Sequence, residues 1–141
     1  MTAAQQLDCL KVVYEFFDAL DMHDHARALA LFAKDGVWER QGSALTGQAT
    51  IGAALEQRSP QRRTFHAVCN PVVTLHAADQ ATVRFYLMAC EARLDQDGAQ
   101  PFAPAGVRRC EDRLVHDGRA WRIARKSSQP HLPPAASHSP T

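Results

Sequence analysis

His66 is the residue whose type and position best suit acid–base chemistry. It lies in the segment from Thr64 to His76, which is rich in Val, Thr and Phe and is therefore predicted to form a strand. On such a strand, Val68 and Asn70 share the face of His66 and give it mixed polarity. An imidazole titrates near neutral pH and suits removal of a proton next to a carbonyl group. A core histidine that bonds a backbone carbonyl is the alternative.

Other side chains are candidates for ligand contact, each with a structural alternative. Asp35 precedes Gly36, where its carboxylate either contacts a ligand or bonds the amides of a turn. Trp38 either lines a pocket or fills the core. Asn70 precedes Pro71 and either contacts a ligand or satisfies the backbone of a bent strand.

Charge and motif content argue against several function classes. Sixteen basic and fifteen acidic residues give a net charge of +1, so no basic excess favours nucleic-acid or membrane partners. The four cysteines form no C-x-x-C pair and the seven histidines form no H-E-x-x-H motif. We therefore expect reduced, mostly buried thiols, no metal and no cofactor. The first residues resemble no secretory signal, so the predicted location is the cytoplasm.

The first half of the chain reads as helical. A helix is predicted from about Ala3 to Met22, with a capping box of Thr2 and Gln5. Its apolar face is expected to contain Leu7, Leu10, Val13, Tyr14, Phe17 and Leu20. The next predicted segments are a helix capped by Asp24 and ending near Lys34, an extended segment from Val37 to Arg40, and a third helix around Ile51 and Leu55 that Pro60 stops.

The second half changes to a period of two, which is typical of strands. The predicted strands are Thr64 to His76, bent at Pro71, Ala81 to Cys90, Val107 to Val115, and a last strand in which Trp121 and Ile123 share a face. Asp112, Arg122 and Arg125 are expected to form ion pairs across the last two strands. Residues 1–128 form the predicted domain, and residues 129–141, which hold four of the eight prolines, form a predicted disordered tail.

Helices followed by antiparallel strands indicate an α+β domain. Because three helices do not completely fill a strongly curved sheet, we expect a cavity between the two layers. Ligand sites favour such places.

Six runs of residues, taken in their order, resemble one family. They are Phe16 to Asp21, Leu31 to Trp38, Gly47 to Ile51, Thr64 to Asn70, Asp112 to Leu114 and Gly118 to Ile123. Together they are similar to SnoaL-like proteins of the NTF2-like superfamily, over nearly all of the chain except the tail.

The resemblance implies a cone-shaped α+β barrel, in which a curved, mixed and mostly antiparallel sheet packs on three helices around a hydrophobic pocket. Members include ketosteroid isomerases, scytalone dehydratases and polyketide cyclases, together with proteins that only bind or assemble. Fold alone therefore does not name the reaction. The resemblance also implies a hydrophobic small-molecule partner and a homodimer formed through the outer face of the sheet.

The resemblance further implies roles for individual residues. His66 matches a strand histidine that dehydratase-like relatives use as acid or base, and Asp21 matches an acid that pairs with it and would raise its pKa. A solvated acid at a helix end is the alternative for Asp21. Arg125 matches a position that faces the pocket, where it holds an anionic or carbonyl group or pairs at the surface. Phe16 and Arg40 stand where isomerases carry a tyrosine and a general-base aspartate, which argues against ketosteroid isomerase chemistry.

Two hypotheses follow. The first is a cofactor-independent lyase or isomerase acting on a hydrophobic cyclic or polyketide-like molecule, in which His66 moves the proton, Asp21 orients it, and Phe16, Trp38, Asp35, Asn70 and Arg125 contact the ligand. The second is a non-catalytic ligand-binding or assembly domain. The position of His66 and Asp21 relative to one open cavity is expected to distinguish them.

Overall fold

Three helices pack against one six-stranded sheet in the computed structural model, which describes residues 1–40, 42–100 and 102–136. The helices are α1 (Ala3–Asp21), α2 (His25–Ala30) and α3 (Gln48–Glu56). The strands are β1 (Phe32–Arg40), β2 (Ser43–Thr46), β3 (Arg62–Ala77), β4 (Gln80–Arg93), β5 (Val107–His116) and β6 (Trp121–Leu132). The α+β prediction is confirmed.

The sheet order places β6 and β5 at the centre of the sheet. The strands lie in the order β2-β1-β6-β5-β4-β3, and only the β1–β6 pair is parallel within this sheet. The curved sheet is not closed, so β2 and β3 are its edges. Helix α1 lies across the inner face of the sheet and contacts β3, β4 and β6. A single helix therefore reaches side chains from three strands.

Local sequence signals explain where α1 begins and which face it buries. The Thr2 hydroxyl accepts a hydrogen bond from the Gln5 amide, and the Gln5 side chain accepts one from the Thr2 amide, as the capping box predicts. Leu7 and Tyr14 stay exposed, so the buried face differs from the predicted one. The buried residues of α1 are Cys9, Val12, Val13, Phe16, Phe17, Ala19 and Leu20.

The prediction that the second helix continues to Lys34 is wrong. Asp24 caps α2 as expected, but the helix ends at Ala30 and β1 begins at Phe32. The Leu31 carbonyl accepts a hydrogen bond from the Ile123 amide at 2.8 Å. Pairing with β6 therefore draws the chain into the sheet, and this long-range interaction overrides a local helical pattern.

The predicted disordered tail is also corrected. Strand β6 continues to Leu132, and its last part pairs with the first residues of β5. Residues 129–132 are therefore ordered, because β5 offers backbone partners that satisfy their hydrogen bonds. Residues 137–141 of the predicted tail lie outside the described residues.

A bulge in β3 explains its predicted bend. Asn70 has a φ of 51°, and the pairing with β4 shifts between Cys69 and Val72. Asparagine tolerates this left-handed conformation better than most residues. The bend separates the part of β3 that carries His66 from the part that leads to the turn into β4.

Two further findings concern the cysteines and the helices. All four cysteines are free, with Cys9 and Cys110 buried and Cys69 and Cys90 partly exposed. Among the described helices, none has the length and apolar character required to cross a membrane.

Candidate functional site

Asp21 and His66 form a hydrogen-bonded pair where the end of α1 meets the start of β3. The Asp21 carboxylate lies 2.6 Å from Nδ1 of His66 and accepts hydrogen bonds from the His66 amide at 2.9 Å and the Thr64 hydroxyl at 2.7 Å. Three contacts hold the carboxylate, and the imidazole side chain is only 9% exposed. The predicted partnership of Asp21 and His66 is therefore present in the structure.

The pair defines which ring nitrogen is free to react. An ionised carboxylate only accepts hydrogen bonds, so Nδ1 of His66 is the donor to Asp21. In the neutral ring, Nε2 then carries the lone pair. No side chain of the described residues is hydrogen-bonded to Nε2. Nε2 is therefore available as a proton acceptor for a bound molecule.

The pKa of His66 is lowered from its ordinary value, chiefly by burial. The hydrogen bond and charge of Asp21 oppose this change, while Arg58 and Arg62 lower the pKa further by repulsion. Asp21 acts to raise the pKa as expected, but the loss of solvent outweighs this attraction, so the net direction is downward. The imidazole is mainly neutral at neutral pH, which is the form required of a general base.

A cavity of about 260 Å³ lies between α1 and the inner face of the sheet, with His66 in its wall. Its apolar wall is formed mainly by Phe16, Phe17, Leu20, Trp38 and Leu87. The Phe16 ring makes an edge contact with the Trp38 ring, at 5.4 Å between centroids. A compact apolar group can therefore lie beside the imidazole.

A second concavity, an open surface groove of about 590 Å³, lies on the other side of the pair. Asp21 lines this groove and not the cavity, whereas His66 lines both. We regard the cavity as the better candidate site, because it joins the imidazole to an aromatic wall and to several cationic groups. Asp21 then supports the ring from behind.

Lys126 and Asp112 form a buried ion pair in the cavity wall. Their side chains are 6% and 0% exposed, and Nζ lies 2.6 Å from an Asp112 oxygen. The ammonium group also lies 4.4 Å and 4.7 Å from the ring centroids of Phe16 and Phe17. Burial raises the pKa of Asp112, and Lys126 opposes this effect. The cavity therefore contains a fixed hydrogen-bond donor against aromatic faces.

Sequence analysis missed Lys126 because β6 contains a bulge. Trp121 and Ile123 share the inner face, and strict alternation places Arg125 there too. The pairing with β5 shifts between Ile123 and Arg125, which leaves Ala124 as an extra residue. Lys126 consequently faces inward opposite Asp112, and only the cross-strand register reveals this exchange.

Four arginines join Lys126 in the cavity wall: Arg40, Arg58, Arg62 and Arg108. Two carboxylates of the described wall, Glu39 and Asp112, face these five cations. These five residues come from strands and a loop that are distant in sequence. The net charge of the chain, +1, therefore gives no sign that they lie together.

The predicted ligand residues divide into two groups. Phe16 and Trp38 line the cavity as expected. Asp35, Asn70 and Arg125 do not, and their assignment to this site is corrected. Asp35 is exposed on β1 because the helix ends earlier than predicted, Asn70 occupies the β3 bulge, and Arg125 pairs with Glu39.

The expected cross-strand ion pairs are likewise changed. Asp112 pairs with Lys126, whereas Arg122 pairs with Asp117 at the hairpin turn. In the described part of the chain, no group of three or more His, Cys, Asp or Glu side chains is arranged to hold a metal ion.

Comparisons with known proteins identify the family and the fold. The family model of the SnoaL-like domain matches residues 1–127. A search of curated proteins finds no match. The chain is 17% identical to an NTF2-like protein with a cystatin-like fold from Novosphingobium aromaticivorans, with a TM-score of 0.77 and 92% of this chain and 84% of that chain covered.

Two further solved structures have the same fold. A candidate scytalone dehydratase from Novosphingobium aromaticivorans is 18% identical, with a TM-score of 0.79 and coverage of 91% of this chain and 85% of that chain. ActVI-ORFA from Streptomyces coelicolor is 16% identical, with a TM-score of 0.77 and coverage of 92% and 99%. At these identities the likeness establishes the fold.

Proposed function

Because the chain belongs to the SnoaL-like domain family, we propose that it is a cofactor-independent lyase or isomerase acting on a hydrophobic cyclic or polyketide-like molecule. The observation that carries this proposal is the His66 ring, fixed through Nδ1 by Asp21 with Nε2 free of a side-chain partner in the described part of the chain. The name of one similar structure, the candidate scytalone dehydratase from Novosphingobium aromaticivorans, supports the reaction class.

The first step is removal of a proton by His66. Nε2 takes a proton from the carbon beside a carbonyl group, and the electron pair of that C–H bond moves into the adjoining C–C bond. Negative charge then collects on the carbonyl oxygen. Asp21 stabilises the imidazolium formed in this step, because its carboxylate already contacts Nδ1.

Lys126 is positioned to stabilise the developing negative charge. Phe16 has no proton to donate, but the Lys126 ammonium lies against its ring and faces the same cavity. An ammonium group at the carbonyl oxygen performs the task of a phenol donor, and exclusion of water strengthens the interaction. Lys126 is therefore the proposed electrophilic group of the reaction.

The fate of the proton decides between the two reaction classes. Return of the proton from His66 to another carbon completes an isomerisation. Transfer of the proton to a β-hydroxyl, with cleavage of the C–O bond and release of water, completes a lyase reaction. Both start from the same abstraction, so one test addresses both.

Deuterium exchange tests the abstraction step without knowledge of the natural substrate. The probes are 1-tetralone, 1-indanone and their ring-carboxylated derivatives in D₂O, and mass spectrometry measures deuterium incorporation beside the carbonyl. We expect the wild type to exceed buffer, and His66→Gln to lose about 10²-fold or more of the catalysed rate. His131→Gln, an exposed histidine in β6, is the matched control and is expected to retain the rate.

The outcome also separates the two hypotheses. Binding of these probes without exchange favours the non-catalytic ligand-binding domain, and equal rates in wild type and His66→Gln refute the role of His66. Asp21→Asn is expected to reduce the exchange rate less than His66→Gln does, because Asp21 positions the imidazole whereas His66 accepts the proton.

The proposal includes a homodimer formed through the outer face of the sheet. Phe65 and Val72 of β3 are 59% and 56% exposed. On β4, Cys90 lies opposite Phe65 and Met88 lies opposite Ala67, which extends the apolar surface around Phe65. Sedimentation of the wild type and Phe65→Glu tests it. We expect a dimer that the introduced charge dissociates, and a monomeric wild type contradicts this part of the proposal.

A further inference from the structure

Arg58 carries two buried donors without a partner among the described residues. Arg58 follows α3 in the chain and lines the cavity, and its Nε and Nη2 atoms are closed to solvent and donate no hydrogen bond to a described residue. These two atoms form one edge of the guanidinium plane. That edge presents two parallel N–H groups, which match the two oxygens of a carboxylate.

Burial and neighbouring arginines favour the binding of an anion at Arg58. Its pKa is lowered to about 10, first by burial and then by repulsion from Arg62 and Arg40. Burial and Arg62 also lower the pKa of Arg40, whose guanidinium lies 4.7 Å from the Trp38 ring centroid. The cations therefore concentrate positive charge at one end of the cavity.

Nearby carboxylates are occupied by other groups. Asp21 holds His66, Glu91 lies 2.9 Å from Arg62, and Glu39 pairs with Arg125. No ion pair to Arg58 or Arg40 occurs among the described residues. A ligand is therefore the natural source of the missing negative charge.

The rest of the cavity restricts what carries that charge. Phe16, Leu20, Trp38 and Leu87 give the cavity an apolar wall, and the volume of about 260 Å³ accommodates a ligand of one or two rings. Because the Nε and Nη2 atoms are closed to solvent in the structure, binding of such a ligand requires the Arg58 side chain to turn its buried edge towards the cavity.

We propose that the cavity binds a compact apolar molecule bearing a carboxylate, with the carboxylate on the Nε–Nη2 edge of Arg58 beside Arg40. This inference rests on the proposed function in that it uses the same cavity, and it adds the substrate class: a cyclic carbonyl compound that also bears a carboxylate, rather than a neutral ketone or alcohol. The apolar ring lies towards Phe16 and Trp38, which places its reactive carbon towards His66.

Isothermal titration calorimetry with a matched pair of probes tests the carboxylate. The probes are 2-naphthoate and 2-naphthamide, which share a ring and differ in charge. We expect the wild type to bind 2-naphthoate at least tenfold more tightly than 2-naphthamide. Arg58→Gln is expected to lose at least tenfold in affinity for 2-naphthoate and to bind 2-naphthamide almost as the wild type does.

Two more variants separate charge from geometry. Arg119→Gln removes one positive charge from an exposed position on the β5–β6 turn and is expected to leave both affinities unchanged. Arg58→Lys keeps the charge but loses the two-donor edge, so we expect an intermediate affinity. Circular dichroism establishes that each variant is folded, and an unfolded Arg58→Gln is replaced by Arg58→Lys as the deciding variant.

Several results overturn the inference. These are equal binding of the two probes by the wild type, equal losses in Arg58→Gln and Arg119→Gln, or displacement of 2-naphthoate by inorganic phosphate at comparable concentration, which indicates a general anion site. Because calorimetry records binding without turnover, failure here is distinguishable from failure of the exchange reaction that tests the proposed function.

Discussion

Replacing Arg58 by methionine is expected to stabilise the unliganded protein. Methionine keeps most of the aliphatic stem but removes a charged group with two unpaired buried donors. Burial lowers the pKa of Arg58 from its ordinary value to about 10, which corresponds to about 3 kcal/mol at 1.36 kcal/mol for each tenfold change in proton affinity. The partly exposed part of the side chain reduces this value through solvent screening, to about 1–2 kcal/mol.

The sign follows from the charged state of the group. A base whose pKa is lower in the folded protein than in the unfolded chain is destabilised in its charged form. Arg58 is charged at neutral pH in both states, so the full cost is present there and diminishes only in strongly alkaline solution. Removal of the charge therefore removes a cost, in contrast to most core substitutions, which destabilise.

Chemical denaturation at pH 7 measures this prediction. We expect the free energy of unfolding of Arg58→Met to exceed that of the wild type by about 1–2 kcal/mol, and the melting temperature to rise by a few degrees. Arg119→Met, which removes an exposed charge, is expected to change stability by less than about 0.5 kcal/mol. An Arg58→Met protein that is less stable than both the wild type and this control refutes the argument that the guanidinium is unsatisfied.

Three further predictions concern the buried ion pair, the imidazole and a close backbone contact. Lys126→Met is expected to lose about 3–5 kcal/mol of stability, because Asp112 is left buried without a counterion. Adding Asp112→Asn is expected to restore part of this stability in denaturation experiments, and no recovery contradicts this reasoning. The pKa of His66 measured by NMR titration is expected below its ordinary value of 6.5. The free energy of unfolding is therefore expected to fall as the pH drops through 6.5 towards the pKa of the folded state. A raised pKa refutes the dominance of burial. Gly36→Ala is expected to destabilise the fold by about 1–3 kcal/mol, since the added Cβ would lie 2.9 Å from the Ile123 carbonyl oxygen; an unchanged melting temperature argues against close packing of β1 on β6.

Much of the fold is predictable because its local and long-range signals agree. Thr2 and Gln5 specify the start of α1, and the alternating residues of β4 specify a half-buried strand. The segment after Ala30 was misjudged because its helical periodicity competes with a parallel pairing to β6, which lies about ninety residues later in the chain. A sequence pattern contains no information about that partner until the register is known.

The candidate site likewise contains residues that the sequence identifies and residues that only the folded structure reveals. His66 and Asp21 were identified through the family resemblance, and each lies in an element whose type was predicted correctly. Lys126 was missed because one extra residue in β6 reverses the inward and outward positions after it. Arg58 was missed because it belongs to a loop, where no periodicity predicts which way a side chain faces.

The arrangement of charges gives the imidazole and the proposed carboxylate site a common energetic basis. Burial lowers the pKa of His66 most, and repulsion by Arg58 lowers it further, so an anion placed on Arg58 would screen that repulsion and make His66 a stronger base once the ligand is bound. Asp21 and Arg62 also act on the ring, but both are already held by other groups, by Thr64 and Glu91 respectively. Burial and this repulsion keep the imidazole of the unliganded protein mainly neutral, and under the proposal the carboxylate of the ligand supplies the charge that increases the basicity of His66.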